Sequence, residues 1–350
     1  MVVTLKVKKK YGEQAKQFLK QKGWLDTSLV IGKTELRYLI LPITGSFNPN
    51  ILKKKFPSSK FEEKNLKPLP ARAGDLKHLL QPLLKDEEVN ELIKSYDTVG
   101  DIAILDIPPK LDKLAKSIAW SFKRAFPNIK VVARKMGKVG SGSEEYRLRK
   151  YKIMTGEQRL ETMHKEAGAV MHVDLEKVYF SPRSSHERER VAGLVKKGEN
   201  ILVMFAGVGP FALVIANRQP EVHITAIEIN PDAARLMEDN IRINRLGFAI
   251  TPILGDVAEV LPKINQTFDR IIMPAPKDSE NFLPLAIKHA NKNCTIHIYA
   301  FANEKKLADV EKKLRKIVSS AGRKVKSIQA IKAGSYAPEV WRYVFDIKLI

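Results

Sequence analysis

What the chain lacks narrows its chemistry first. It has one cysteine, Cys294, in 350 residues, which excludes an intramolecular disulfide and a multi-cysteine metal site and suits a reducing cytoplasm. Its seven histidines are scattered, with no His-x-x-x-His helix and no carboxylate cluster around them, so no metal is expected. No apolar run approaches the about 18 residues needed to span a bilayer, and the opening stretch MVVTLKVKKKYG lacks the apolar core of an export signal. Neither a membrane nor an obligate protein partner is indicated. Negative charge is scarce as well. Lys and Arg total 61 against 39 Asp and Glu, a formal +22, and so large a surplus attracts phosphate backbones.

What is present centres on residues 201–212, ILVMFAGVGPFA, which read as a strand, a tight turn and a helix start. Gly207 and Gly209 let the backbone turn sharply and approach a ligand, and the free N–H groups of the next helix favour a polar or anionic group. A second apolar run, 223–227, ends in Glu228, 21 residues after Gly207, close to the distance at which an acid meets a ribose. A third run, 250–254, ends in Gly255-Asp256, and a fourth, 268–273, in Pro274-Ala275-Pro276. Four strand ends therefore face one crevice, where open α/β sheets bind ligands. Asp256 suits an adenine amino group and the proline-bounded loop suits a substrate base, which favours S-adenosylmethionine. The same glycines also satisfy a dinucleotide fingerprint, so a nicotinamide-dependent oxidoreductase stays open, as does a non-catalytic RNA-binding protein.

Three segments are expected: 1–70, a small α+β unit with a basic linker; 71–195, an α+β support for RNA binding and catalysis; and 196–350, the alternating βα region. Residues 44–74 lack periodicity and read as a mobile linker. Residues 28–31 read as a strand, 79–95 as helical, and 110–126 as a helix with Leu111, Leu114, Ile118, Trp120 and Phe122 in approximate helical spacing. The basic loop 137–143 could close over phosphates. HERER, at 186–190, reads by periodicity alone as an exposed charged helix. The strands 325–330 and 341–349 are expected to be joined by a loop containing AGSYAPE, so that a hairpin ends the parallel sheet, the layout of class I methyltransferases.

Four stretches, VGDIAILDIP (99–108), YRLRKYKIMTGE (146–157), VYFSPRSSHERER (178–190) and MFAGVGPFAL (204–213), together resemble the archaeal and eukaryotic tRNA guanine-N1-methyltransferases that act at position 37. The resemblance implies an α/β fold: a Rossmann-like class I methyltransferase domain, preceded by an α+β domain and a small mobile N-terminal α+β domain. It implies S-adenosylmethionine as cofactor without a metal, and tRNA as partner, met at its anticodon loop and outer corner, in the cytoplasm. Arg147 is implied to stabilise guanine O6 and Glu187 to take the N1 proton. Tyr179, Arg183, Arg188, Pro274 and Pro276 are implied to hold the target nucleotide. Phe205, Gly207 and Gly209 are implied to bound the cofactor, Glu228 to hold its ribose and Asp256 its adenine. Two positions depart from the pattern: Val203 stands where the family often has Asp, and Pro274 where it commonly has Asn. A related branch methylates a carbon of a tricyclic wyosine intermediate, and the proline-bounded loop resembles that branch, so wyosine-pathway or dual activity stays open.

These residue types suit the chemistry. Guanine N1 carries a proton at neutral pH and becomes nucleophilic as that proton leaves, which calls for a carboxylate such as Glu187. Negative charge then spreads onto O6, where a guanidinium such as Arg147 stabilises it more than the neutral ground state.

Overall fold

Two sets of apolar residues collapse separately, giving two compact units, Met1–Leu76 with Ala125–Pro127 and Lys77–Arg124 with Asn128–Ile350. The structure is a computed structural model that describes all residues except 1, 23, 27–31, 35–37, 44–46, 58, 67–74, 138–145, 275–278 and 338. The predicted strand 28–31, most of the loop 137–143 and Pro276 lie outside the described residues.

In the first unit, β1 (Val2–Lys8), α1 (Gly12–Gln21), β2 (Gly32–Thr34), β3 (Tyr38–Pro42), α2 (Pro49–Lys55) and β4 (Lys60–Lys64) follow in order. The strands form one antiparallel sheet, β2-β3-β1-β4. Residues 49–64 are thus part of the fold, where a linker was expected. The Asn48 side chain accepts the Asn50 N–H at 3.0 Å and Pro49 occupies the first turn, a strong helix start. Leu52 and Phe56 then drop into the core beside Leu5 and Leu19. A seven-residue helix is too short to show periodicity, and β4 carries a single apolar residue, Phe61.

Next come α3 (Asp75–Leu80) and α4 (Asp86–Ser95), two helices where one was expected, because Pro82 cannot donate to a continuing helix. A four-stranded sheet, β5-β6-β7-β8, is built from β5 (Asp97–Val99), β6 (Ile102–Leu105), β7 (Val131–Met136) and β8 (Lys150–Gly156). β6 and β7 are parallel, and α5 (Ala115–Ala125) lies in the crossover between them. On α5, Ile118 and Phe122 are buried but Trp120 is 63% exposed. It sits two residues from each, on the opposite side of a 3.6-residue turn.

A two-stranded hairpin, β9 (Glu161–Glu166) and β10 (Ala169–Asp174), and α6 (Ser185–Leu194) lead into the last layer. There β11 (Asn200–Met204), α7 (Pro210–Arg218), β12 (His223–Glu228), α8 (Pro231–Ile243), β13 (Ile250–Leu254), α9 (Val257–Val260), β14 (Phe268–Met273), α10 (Leu283–Lys288) and β15 (Ala290–Ala302) alternate, followed by α11 (Leu307–Ser320), β16 (Val325–Ala337) and β17 (Val340–Leu349). The seven-stranded sheet has the order β13-β12-β11-β14-β15-β17-β16. Neighbours from β13 to β15 are parallel, whereas β17 is antiparallel to both β15 and β16. This is the Rossmann-like class I methyltransferase arrangement, not a continued βαβ dinucleotide fold. β16 runs on through most of the expected AGSYAPE loop. Register shifts beside Gly334 and between Ser335 and Ala337 absorb the residues that break its alternation.

Order reverses at β11, so the crevice lies beyond the carboxyl ends of β11 and β14. β11 has no exposed side, since Ile201 to Met204 are all fully buried, which is why it reads as an uninterrupted apolar run. Val203, where the related enzymes often carry Asp, is part of that core. α8 secures the hairpin through two asparagines one turn apart. Asn240 accepts from the His172 N–H and donates to the carbonyls of His172 and Val208, while Asn244 makes the same paired contacts with Val170. They satisfy the edge of β10 that no strand covers. Among the described residues no helix is long and apolar enough to cross a membrane.

Replacing the fully buried Asn240 with Ala strands three backbone groups. Chemical denaturation is expected to show a loss of about 3 kcal/mol, against about a few tenths for Asn293→Ala at an exposed position.

Candidate active site

The turn after β11 is held in an uncommon conformation. Phe205 has φ +56°, Gly207 +58° and Gly209 +85°, and a left-handed Phe is rare unless its surroundings hold it there. The ring of Phe282 does so in part, edge-on at 5.0 Å between centroids. Gly209 caps α7 without any side-chain hydrogen bond, and Pro210 fills the first helical position, so the N–H groups of the first turn point into the crevice.

Glu228 ties this turn to the next strand. Its Oε2 accepts the Gly207 N–H at 2.6 Å and its Oε1 the Asn230 N–H at 2.9 Å, while Asn230 Nδ2 donates to the Lys177 carbonyl. Only 8% of Glu228 is exposed, and burial pushes its carboxyl up, partly offset by the N–H bonds from Asn230 and Gly207. Each oxygen keeps a lone pair, enough to accept a pair of ribose hydroxyls. Asp256 is half-buried at the end of β13, where its Oδ1 caps α9 by accepting the Ala258 N–H at 2.8 Å. Ile229 and Leu254, at the ends of β12 and β13, are 40% and 56% exposed. The sequence reading missed both, because the only signal is an aliphatic residue left in solvent at a parallel strand end. The left-handed turn, the open helix start, the buried acid and these apolar flanks fit S-adenosylmethionine, so Phe205, Gly207, Gly209, Glu228 and Asp256 can hold it.

Facing this turn is the segment 178–183. The carbonyl oxygen of Tyr179 lies 3.9 Å from where a Cβ on Gly207 would sit. Its ring is 48% exposed, and the guanidinium of Arg147 stands 5.7 Å from the ring centroid, a cation–π distance. Arg147 itself has φ +57°. Arg147, Tyr179 and the glycine turn are therefore brought together.

Glu187 and Arg188, on the helix read by periodicity as exposed, are 5% and 3% exposed. Arg188 donates from Nε and Nη2 to the two oxygens of Glu166, both at 2.6 Å, and from Nη2 to the Ser181 carbonyl. Burial opposes ionisation of Glu166, but Arg188 and His164 outweigh it and hold the carboxyl at about 2. Arg183 turns to Asp97 and the Ser95 carbonyl. Glu187 receives Arg190 on both oxygens, at 2.8 Å each, and the Tyr299 hydroxyl on Oε1 at 2.7 Å. Among the described residues no hydrogen bond joins Glu187 to Arg147. Arg190 and Tyr299 escaped the sequence reading; the i,i+3 spacing of Glu187 and Arg190 was a signal for the first, and nothing marked the second. Pro274 is half-buried at the end of β14, and the rest of its loop lies outside the described residues.

Known proteins share this arrangement. The TRM5/TYW2 methyltransferase domain matches residues 162–328, the TYW2 N-terminal domain 76–159 and the tRNA methyltransferase 5 N-terminal domain 4–51. The chain is 34% identical over 352 residues to a tRNA (guanine(37)-N(1))-methyltransferase Trm5b of Pyrococcus abyssi, covering 100% of this chain and 99% of the relative. A protein of the same description from Methanocaldococcus jannaschii is 34% identical over 357 residues, with 100% and 99% covered. Among solved structures, a complex of an archaeal Trm5 with leucine tRNA matches with a TM-score of 0.76 and 31% identity, covering 99% of this chain and 100% of that one. Methanocaldococcus jannaschii Trm5 bound to adenosine matches with a TM-score of 0.63 and 31% identity, covering 99% of each.

The folded carboxyl of Glu166 sits below its unfolded value near 4.5, so its contribution is complete above that pH and is lost as pH falls toward about 2. Denaturation midpoints measured across that window should drop, and less steeply in Glu166→Gln. Arg188→Ala, which leaves the buried Glu166 with only His164 beside it, should destabilise the second unit by about 3–5 kcal/mol at neutral pH.

Proposed function

From the chain's membership of the TRM5/TYW2 methyltransferase family, we propose that it transfers a methyl group from S-adenosylmethionine to N1 of guanosine 37 in tRNA. The observation that carries this reading is the Arg147–Tyr179 pair set directly beside the Gly207 turn. A base stacked there lies next to the cofactor crevice with a guanidinium at its edge.

When bound, the cofactor supplies a sulfonium methyl whose carbon takes the N1 electron pair while sulfur keeps the pair of the broken bond. The chain's residues do the rest. Tyr179 receives the base turned out of the anticodon loop, an unstacking that costs roughly a few kcal/mol. Arg147 stabilises the charge that builds on O6. Glu187 takes the proton from N1, its carboxylate held in one orientation by Arg190 and Tyr299. Arg188 and Arg183 support the 178–183 segment from behind through Glu166 and Asp97. Pro274 borders the base pocket, and Phe205, Gly207, Gly209, Glu228 and Asp256 bind the cofactor. The first unit meets the outer corner of the tRNA, the reaction proceeds without a metal, and the enzyme works in the cytoplasm.

The deciding assay is transfer of labelled methyl from S-adenosylmethionine to an unmodified tRNA transcript. N1-methylguanosine that disappears when base 37 is changed is expected; no transfer to it, with transfer to a tRNA carrying the tricyclic intermediate, assigns the wyosine branch instead. Glu187→Gln should lower single-turnover rates by about 10²–10⁴ and leave cofactor affinity unchanged. Deleting residues 1–74 should flatten the salt dependence of tRNA binding, since phosphate contacts set that slope.

A further inference from the structure

Beneath Glu187 runs a line of buried and half-buried polar groups that proton removal alone does not explain. Arg190 is shared: it binds both oxygens of Glu187 on its own helix and both oxygens of Asp346 on β17, at 2.8 and 3.1 Å. Asp346 Oδ1 also meets His297 Nδ1 at 2.6 Å, and His297 Nε2 meets Arg270 Nη1 at 2.7 Å. Arg270 in turn engages both oxygens of Glu199.

The hydrogen bonds assign the charges. A guanidinium nitrogen only donates, so His297 Nε2 must accept and the ring proton sits on Nδ1, donating to Asp346. His297 is therefore neutral, and its complete burial pushes its titration down in agreement. Glu199 cancels Arg270, and Asp346 cancels Arg190. Burial works against ionised Asp346, yet His297 and Arg190 hold its carboxyl at about 2. The line thus carries one negative charge in excess, on Glu187. A single proton brings it to neutrality.

On the reading of Glu187 as the proton acceptor, we propose that Asp346 and Tyr299 are positioning residues that set how readily Glu187 takes the N1 proton, in opposite senses. As the N1–H bond breaks, the proton goes to Glu187 and the electron pair stays on N1. Were Glu187 the only counter-ion of Arg190, protonating it would leave a half-buried guanidinium without a counter-charge; Asp346 removes that obstacle. Tyr299 acts the other way, since its hydroxyl donates to the charged carboxylate and favours that form. From α7, Phe211 packs edge-on against Tyr299 at 6.0 Å, and the cation Arg218 lies by Gly193, three residues beyond Arg190 on α6. Glu166 is fully engaged by Arg188 on a separate side.

The test is the pH dependence of single-turnover methyl transfer to the unmodified transcript, with full-length enzyme and saturating cofactor. Asp346→Asn should move the acid limb down by about one unit and lower the plateau, and Tyr299→Phe should move it up by about one unit. Cofactor dissociation constants should stay within about twofold of wild type in both. Limbs that stay in place, whatever happens to the rates, overturn the inference; should Asp346→Asn fail to fold, the limb of Tyr299→Phe decides alone. Glu187→Gln separates the two layers. If it keeps the wild-type rate and limb, the assignment of Glu187 as base is what fails; if it collapses while the other limbs do not move, only the role of the buried line is lost.

Discussion

The arrangement of the site depends on one buried ion pair, Arg188 with Glu166. It joins α6 to the β9–β10 hairpin, and through the Ser181 carbonyl it also fixes the 178–183 segment. Phe180 lies under the Arg188 guanidinium at 5.5 Å and against His164, whose Nδ1 accepts the Gly100 N–H. From that anchored stretch Tyr179 is left with its ring in solvent and its carbonyl beside Gly207. Two charges removed from water are expensive unless every lone pair and proton is met. Here the guanidinium lies in a geometry that meets both carboxylate oxygens, so the same contact that must be satisfied for folding also places the aromatic ring.

The cofactor side is organised by a different device. Glu228 accepts two backbone N–H groups from turns that follow different strands, and so it registers the end of β11 against the end of β12. A carboxylate buried in this way has lost most of its water and gains from any further donor. The left-handed Phe205 adds strain at the same place, where a well-packed surround can sustain it.

Much of this was legible in the sequence. The inner parallel strands β11, β12 and β14 announced themselves because they are buried on both faces, and the glycine turn because only glycine accommodates positive φ without strain. The acids at the strand ends and the basic surplus pointed to a nucleotide cofactor and a phosphate-rich partner before any comparison. The failures have common causes. α2 and β4 are too short for periodicity to register, and their only evidence was an Asn-Pro start and three apolar residues. The helix carrying Glu187 misled because its Arg188 and Arg190 reach partners more than 20 residues away in sequence, Glu166 and Asp346, and no local pattern reports a distant counter-ion. Trp120 was counted in the helical spacing of 110–126, yet it stands two residues from both Ile118 and Phe122 and so faces out.

The place of β17 has a consequence for how the protein is made. This strand slots between β15 and β16, and it brings Asp346 to the helix that carries Glu187. During vectorial synthesis the earlier parallel strands can pair as they emerge, yet the charge line under α6 stays open until residue 346 has cleared the ribosome. Until then Arg190 has a single carboxylate partner and the inner edge of β15 lacks its neighbour. The sheet of the second unit is therefore completed from within, by a strand that follows all six of its other strands in the chain, and the second counter-ion of Arg190 arrives with it.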